Sequence, residues 1–265
     1  AGRVAAAIAM LRASAEARRV LRTFDPQVVI SVGGYASVPA VVAAVLARIP
    51  VALVEPNAIP GRANRLAARF AKRIFVQFEQ SARIFGRSLD PARILATGIP
   101  LRTSLLESFA DAPPRSQASS PLSVLVFGGS QGAYAAAGLD ARVVAFEPEM
   151  PRRYREADVA VCRSGALTVA ELALAALPAL LIPYPYAADD HQTANAAALT
   201  ESGAARLLDP ATLSGALLVE ELESLRRSPS RLHEMSGRAA KLAHPDAAER
   251  IVQECAALVG PGGRD

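Results

Sequence analysis

Three glycine-bearing turns in this chain have the residue types to bind a phosphate. The first lies in the stretch Val161–Asn195, VCRSGALTVAELALAALPALLIPYPYAADDHQTAN. An apolar run ends at Ser164-Gly165 and a helical segment follows. Backbone N–H groups at such a helix start favour an anion. Glu171 sits in that helix. It either closes a T-x-x-E capping box with Thr168 or accepts hydrogen bonds from ribose hydroxyls. The second turn is Gly128-Gly129-Ser130-Gln131-Gly132-Ala133, after the apolar run Leu122–Phe127. It has neither the lysine-bearing spacing of a nucleotide hydrolase nor the G-x-G-x-x-G of a dinucleotide enzyme. The third is Gly33-Gly34-Tyr35, after Val28–Val32, where paired glycines allow close backbone approach to a ligand or form a plain βα turn.

Other polar residues offer narrower chemistry. Asn57 both donates and accepts, which suits a sugar hydroxyl or simply a turn. Asp189-Asp190-His191 is the only local hint of a cation site. Adjacent residues project in different directions, so His191 reads as a polar surface residue and no metal ligand set is expected. Cys162 and Cys255 lack ligand spacing and do not form a disulfide framework, which points to a reducing cytosol.

The elements that position these groups follow from the apolar runs. Val28–Val32, Val51–Glu55, Ile74–Phe78, Leu122–Phe127, Val159–Cys162, Ala179–Ile182 and Ala205–Leu208 read as strands alternating with helices. That alternation is the signature of parallel sheets. Helices are expected at 3–24, 38–47, 212–227, 230–242 and 246–258. Arg62, Arg65, Arg69, Lys72 and Arg73 fall at the spacing of one helix face. The string DAPPRSQASSP within 103–121 reads as an exposed connector. Domains are therefore expected at 1–102 and 122–243, with 103–121 as linker and 244–265 as a final helix.

The chain has 265 residues, 51% of them hydrophobic, with no Trp and a net charge of +4. That charge conceals an asymmetry. Residues 1–102 carry 15 Lys/Arg against 5 Asp/Glu, and residues 103–265 carry 14 against 20. A basic half suits an anionic surface or is an ordinary solvated one. Nucleic acid is disfavoured, because no aromatic interleaving or known binding motif accompanies the basic residues. No segment is apolar enough to span a membrane, since the longest uncharged runs are broken by Gly and Pro, and no signal peptide is expected.

Taken together, Ser164 to Thr168, Glu171, the Pro178 turn, Asp190-His191-Gln192 and Asn195 resemble the UDP-N-acetylglucosamine site of the MurG family. The resemblance extends over residues 26–75 and 122–133 and loosely over most of the rest. It implies an α/β fold of the GT-B class, two Rossmann-like doubly wound parallel-sheet domains facing a cleft. It also implies an inverting transfer of N-acetylglucosamine from UDP-N-acetylglucosamine to undecaprenyl-diphospho-muramoyl-pentapeptide (lipid I), making lipid II for peptidoglycan. No cofactor is implied, nor a metal at the donor site. The location implied is peripheral, on the cytoplasmic face of the bacterial plasma membrane, with an anionic membrane surface met by the basic half. The last helix is implied to return to the first domain.

The resemblance assigns donor contacts to Asn57, Arg102, Ser130, Glu147, Ala166, Leu167, Thr168, Val169, Ala170, Glu171, Gln192 and Asn195. It assigns the acceptor diphosphate loop to Gly33, Gly34 and Tyr35. Departures from the pattern are specific. Val54 and Pro56 replace a His and a Gln beside Glu55 and Asn57. Ile99 replaces an Asn in Gly98-Ile99-Pro100-Leu101-Arg102, and Glu147 replaces an apolar residue beside Phe146. The family's first strand with its His-bearing glycine loop has no counterpart, and the segment after residue 133 is short. Glu55 is then the remaining candidate for the catalytic base, or else it simply orients its loop. The competing expectations are a non-catalytic or incomplete homologue that only binds UDP-N-acetylglucosamine, or another GT-B enzyme of UDP-sugars such as an epimerase.

Overall fold

A parallel strand covered on both faces needs an unbroken apolar run, and Val51–Glu55 supplies one: all five of its residues are buried. In the computed structural model this is β2 of a parallel sheet ordered β1-β2-β3-β4. β1 is Val29–Ser31, β3 is Arg73–Val76 and β4 is Ile94–Ala96. The structure describes residues 2–110, 121–128, 144–186 and 190–259. Ser130, Asp189, most of the Gly128–Ala133 loop and the core of the 103–121 connector lie outside those residues.

The chain divides into two compact units. The first comprises residues 1–100 and 246–265. Its sheet is joined through α2 (Val38–Leu46), α3 (Arg62–Ala67) and α4 (Glu79–Gly86). α1 (Gly2–Phe24) packs on α2. The core is built from Val41, Ala44, Val51, Leu53, Ala68, Ile74, Val76 and Phe85. α11 (Ala247–Val259) joins this unit, and its Glu254 accepts a 2.8 Å hydrogen bond from Arg73 Nε in β3.

The second unit, residues 101–245, holds a second parallel sheet. Its order is β5 (Val124–Phe127), β6 (Val159–Cys162), β7 (Ala179–Leu181) and β8 (Ala205–Leu207). The helices are α5 (Thr103–Ala110), α6 (Met150–Glu156), α7 (Ala166–Leu174), α8 (His191–Glu201), α9 (Gly215–Arg226) and α10 (Pro229–Ala240). Val159, Val161, Leu180, Leu225, Leu232 and Met235 form the core between sheet and helices. Both units are α/β with parallel strands, as the alternation of apolar runs and helices predicts.

Two expectations need correction. Residues 103–121 are not connector throughout, because α5 occupies Thr103–Ala110 and buries Leu105. The five basic residues from Arg62 to Arg73 do not share a helix face. α3 ends at Ala67, Arg65 Nε donates to the Pro60 carbonyl at 2.8 Å, and Arg73 opens β3 paired to Glu254. The physical reason is register: Ala52 pairs with Arg73, which draws that segment into the sheet. Among the described residues, no helix is long and apolar enough to cross a membrane.

Candidate functional site

The carboxyl ends of parallel strands are where βα turns converge, and this is where ligands bind in open α/β sheets. In the second unit, β6 ends at Cys162 and the chain turns through Arg163-Ser164-Gly165 into α7. Gly165 is the N-cap, extended at φ −62 and ψ 147, and no side chain caps the helix. Val169 N donates to Gly165 O at 2.9 Å, closing the first turn. An α-helix start leaves its first N–H groups without helical partners and carries a partial positive charge. The first turn has no acidic residue to occupy that end. Ala166, Leu167 and Thr168 make up that first turn, while Val169 is buried and Ala170 half-buried behind it.

Thr168 lies inside the helix and Gly165 holds the cap position. The capping-box alternative for Glu171 is thereby removed. Its carboxylate meets Tyr154 of α6 instead, whose hydroxyl donates to Oε2 at 2.8 Å. Burial first, and the Glu171 carboxylate second, push the Tyr154 phenol far above its ordinary range, while the Arg102 guanidinium opposes the shift. Arg102 thus acts electrostatically on Tyr154, from an exposed position just before α5.

The turn itself is clamped from α8 and from the loop after β7. Ser164, fully buried, donates its hydroxyl to Gln192 O at 2.7 Å. Asn195 Nδ2 donates to Ser164 O at 3.2 Å, and Tyr184 N donates to Gln192 Oε1 at 2.8 Å. Arg163 reaches the carbonyls of Ile182 and Pro183 and lies over the Tyr184 ring, 5.6 Å from its centroid. Two residues expected at the sugar take part in this arrangement. Asn195 has no exposed surface and holds the loop. Gln192 gives its carbonyl oxygen to the same clamp and has only its amide nitrogen to offer.

Glu147, expected as a donor contact, has its carboxylate engaged within the chain. Its carboxylate takes a 2.7 Å hydrogen bond from Arg153 Nε and a 3.0 Å bond from Glu149 N, anchoring the start of α6. The neighbouring Phe146 is 81% exposed. Arg153, Arg163 and Tyr154 carry much of this geometry, and sequence reasoning passed over all three. Only the proximity of Arg163 to the Ser164-Gly165 turn hinted at a role.

In the first unit, Glu55 ends β2 with 1% exposure. Its Oε1 accepts from Asn57 N at 2.9 Å and Asn57 Nδ2 at 3.3 Å. Its Oε2 accepts from Gly61 N at 3.1 Å and Asn64 Nδ2 at 2.7 Å. A carboxylate so buried and so fully donated to has no oxygen for a substrate proton. Glu55 is therefore corrected from candidate base to organiser of the 56–61 loop. Asn57 is held in the same net. Gly33 and Gly34 sit at φ +89 and +79, and Tyr35, which opens a 3-10 turn, is 77% exposed. Asn64 packs so closely on Gly33 that a Cβ there would lie 2.7 Å from Asn64 Oδ1.

Among the described residues, no group of His, Cys, Asp or Glu is arranged to hold a metal ion. Asp190 Oδ1 accepts from the Thr193 hydroxyl at 2.7 Å. Cys162 is no nucleophile, since burial pushes its thiol up to about 12.

Cys162 and Tyr154 give alkaline pH a predictable effect. Both groups hold their protons more tightly folded than unfolded. The stability this confers is complete below the unfolded values, about 8.5 for a thiol and about 10 for a phenol. It is lost as pH rises through the folded values. Urea melts at pH 8 and pH 11 should show the midpoint of the second unit falling. A flat profile would contradict the burial of both groups.

The sequence matches the glycosyltransferase family 28 N-terminal domain over residues 2–76 and the glycosyltransferase family 28 C-terminal domain over residues 134–251. A UDP-N-acetylglucosamine--N-acetylmuramyl-(pentapeptide) pyrophosphoryl-undecaprenol N-acetylglucosamine transferase of Geobacter metallireducens is 38% identical over 278 residues. The match takes in 91% of this chain and 75% of the relative. Because the matched span is longer than the 265-residue chain, the relative has internal positions that this chain lacks. The crystal structure of MurG from Acinetobacter baumannii superposes with a TM-score of 0.74 at 29% identity, covering 94% of this chain and 80% of that one. A UDP-GlcNAc 2-epimerase from Neisseria meningitidis, solved bound to UDP-GlcNAc, has a TM-score of 0.67 at 13% identity, over 92% of this chain and 80% of its own. At that identity it shares the fold alone.

Proposed function

The chain belongs to the MurG family of glycosyltransferase family 28, and we propose that it moves N-acetylglucosamine from UDP-N-acetylglucosamine to undecaprenyl-diphospho-muramoyl-pentapeptide. The product is lipid II for peptidoglycan. The observation that supports this best is the α7 N-terminus, a helix start with no side-chain cap and no acidic residue in its first turn, beside the Tyr154-held carboxylate of Glu171.

The chemistry suits that helix start. An acceptor hydroxyl forms a bond to the anomeric carbon as the bond to the diphosphate oxygen breaks, and the configuration inverts. Negative charge accumulates on the departing UDP. Donors already aimed at that charge stabilise the transition state more than the ground state. The N–H groups of Ala166, Leu167 and Thr168 and the dipole of α7 supply them without a metal. Glu171 takes the ribose hydroxyls, and Arg102 lends positive charge beside it. Gln192 offers its amide to the sugar. Ser130 is assigned to the diphosphate by resemblance alone. Val169 and Ala170 support the turn from behind, and Glu147 sets the start of α6 that carries Tyr154.

Within this scheme the second unit is the donor domain. The first unit, with Gly33, Gly34 and Tyr35, is the acceptor side, and its final helix belongs with it. The basic half is assigned to an anionic membrane surface, with the protein peripheral on the cytoplasmic face of the bacterial plasma membrane. Exposed Arg12, Arg18 and Arg19 on α1 fit that assignment better than Arg65 and Arg73, which are engaged within the unit.

Thermal melts with UDP-N-acetylglucosamine, UDP-glucose and NADH, without added metal, test the donor site. A ligand that binds only the folded state raises the midpoint. At about 100 times its Kd, UDP-N-acetylglucosamine should add about 2.7 kcal/mol, a shift of several degrees, with less for UDP-glucose and none for NADH. No shift with UDP-N-acetylglucosamine, or an equal one with NADH, would refute the donor assignment. Incorporation of labelled N-acetylglucosamine into lipid distinguishes transfer from binding alone.

A further inference from the structure

We propose that Tyr154 is a positioning residue for the donor: its hydroxyl holds one oxygen of Glu171 so that the other is presented to the ribose of the uridine nucleotide. The inference rests on Glu171 being the ribose carboxylate.

Tyr154 stands on α6 and Glu171 in the second turn of α7, seventeen residues later in the chain. The tyrosine is 1% exposed, so its ring direction is set by packing rather than by the hydrogen bond. Phe127, at the end of β5, meets that ring edge-on, with centroids 5.7 Å apart at 71°. The hydroxyl is thereby aimed before any ligand arrives.

A glutamate carboxylate is otherwise free to rotate about a broad, roughly two-fold terminal torsion. The 2.8 Å bond to Oε2 removes that freedom. No described residue donates to Oε1. On α6, Arg153 gives its guanidinium to Glu147 and Glu156. Glu171 therefore has one oxygen fixed by a neutral donor.

The phenol also stays a donor across the working range, since burial and the neighbouring carboxylate both hold its proton. A ribose presents two adjacent hydroxyls, and an acceptor fixed in orientation binds them without a further ordering cost. Tyr154 touches no reacting atom in this account. It acts through Glu171.

The test is discrimination between UDP and 2′-deoxy-UDP by titration calorimetry, in wild-type protein and in Tyr154→Phe. Phenylalanine keeps the ring and its edge contact with Phe127. Wild-type protein should prefer UDP by about tenfold, the worth of one hydrogen bond to a charged group. Tyr154→Phe should bind UDP about tenfold more weakly and bind 2′-deoxy-UDP nearly as before, losing the preference. In turnover, KM for UDP-N-acetylglucosamine should rise by a similar factor with kcat within about twofold, as when binding common to ground and transition states is removed.

Glu171→Asp is the second variant. It retains the charge, withdraws the carboxylate from Tyr154 by one methylene and should lose the preference in the same way. A Tyr154→Phe protein that still prefers UDP by the wild-type factor, or weakens both nucleotides equally, overturns the proposal and leaves the ribose assignment intact. Wild-type protein without a preference overturns the ribose assignment itself, and the proposal with it.

Discussion

Glu55→Ala should unfold the first unit at a markedly lower temperature, rather than simply silence a folded enzyme. The carboxylate is 1% exposed and satisfies Asn57 N, Asn57 Nδ2, Gly61 N and Asn64 Nδ2. Alanine strands those donors in a buried place and removes the groups that shape the loop before α3. Breaking a buried charged network from one side costs about 3–5 kcal/mol. For a unit of this size that is a fall of roughly 10–20 °C in Tm. Glu55→Gln should lose less, because one oxygen remains to accept while the amide faces two donors. The check is calorimetry alongside UDP titration. Nucleotide binding should persist in the second unit at temperatures where the first has melted. A Glu55→Ala protein with unchanged Tm and no turnover would restore Glu55 as a base.

Gly33→Ala should cost more than Gly34→Ala, although the two residues are neighbours. Both have positive φ, +89 and +79. A positive φ alone penalises a side chain at either position, by about 1–3 kcal/mol. The difference lies in space. A Cβ at Gly34 meets nothing within 4 Å, whereas one at Gly33 falls 2.7 Å from Asn64 Oδ1 and 2.8 Å from its Nδ2. Asn64 cannot give way cheaply. It is 4% exposed, and Nδ2 is bound to Glu55 Oε2 and to Val54 O. Strain and overpacking together bring the Gly33 cost to about 2–4 kcal/mol. Urea denaturation of the two variants measures the difference directly. Equal losses would show that the Asn64 contact relaxes without penalty. Gly33→Ala and Asn64→Ala should also be non-additive, because the second change removes the obstacle to the first.

These two predictions share one network, and it changes how the first unit's motif is understood. Glu55, Asn57, Gly61 and Asn64 fix the loop after β2, and Asn64 carries that order across to the turn after β1. The residues that look catalytic by type hold the shape of these two turns. In the second unit, likewise, Gln192, Asn195 and Ser164 are spent largely on one another. What they leave available for the nucleotide is the helix start and Glu171.

The amino-acid sequence alone determined the family, the parallel α/β class and the strands of both sheets. Buried parallel strands such as Val51–Glu55 and Val159–Cys162 are short runs of mostly apolar residues, bounded by turn residues such as Pro56-Asn57 and Ser164-Gly165. These are local signals, and they survive in one dimension. Short elements were harder. α6 has seven residues rich in Arg and Glu, too few for a helical period to declare itself, and α8 is an Ala-rich polar run with no apolar stripe. The basic spacing from Arg62 to Arg73 misled because pairing of Ala52 with Arg73 ends the helix early. Only the tertiary structure decided the roles of the polar side chains. Whether a carboxylate is a base or a brace depends on which donors the fold brings to it. The donors to Glu55 come from Asn57, Gly61 and Asn64, and the donor to Glu171 comes from Tyr154, on a helix across an intervening strand. Spacing along the chain carries no record of those directions, because they are set by how helices seat against the sheet.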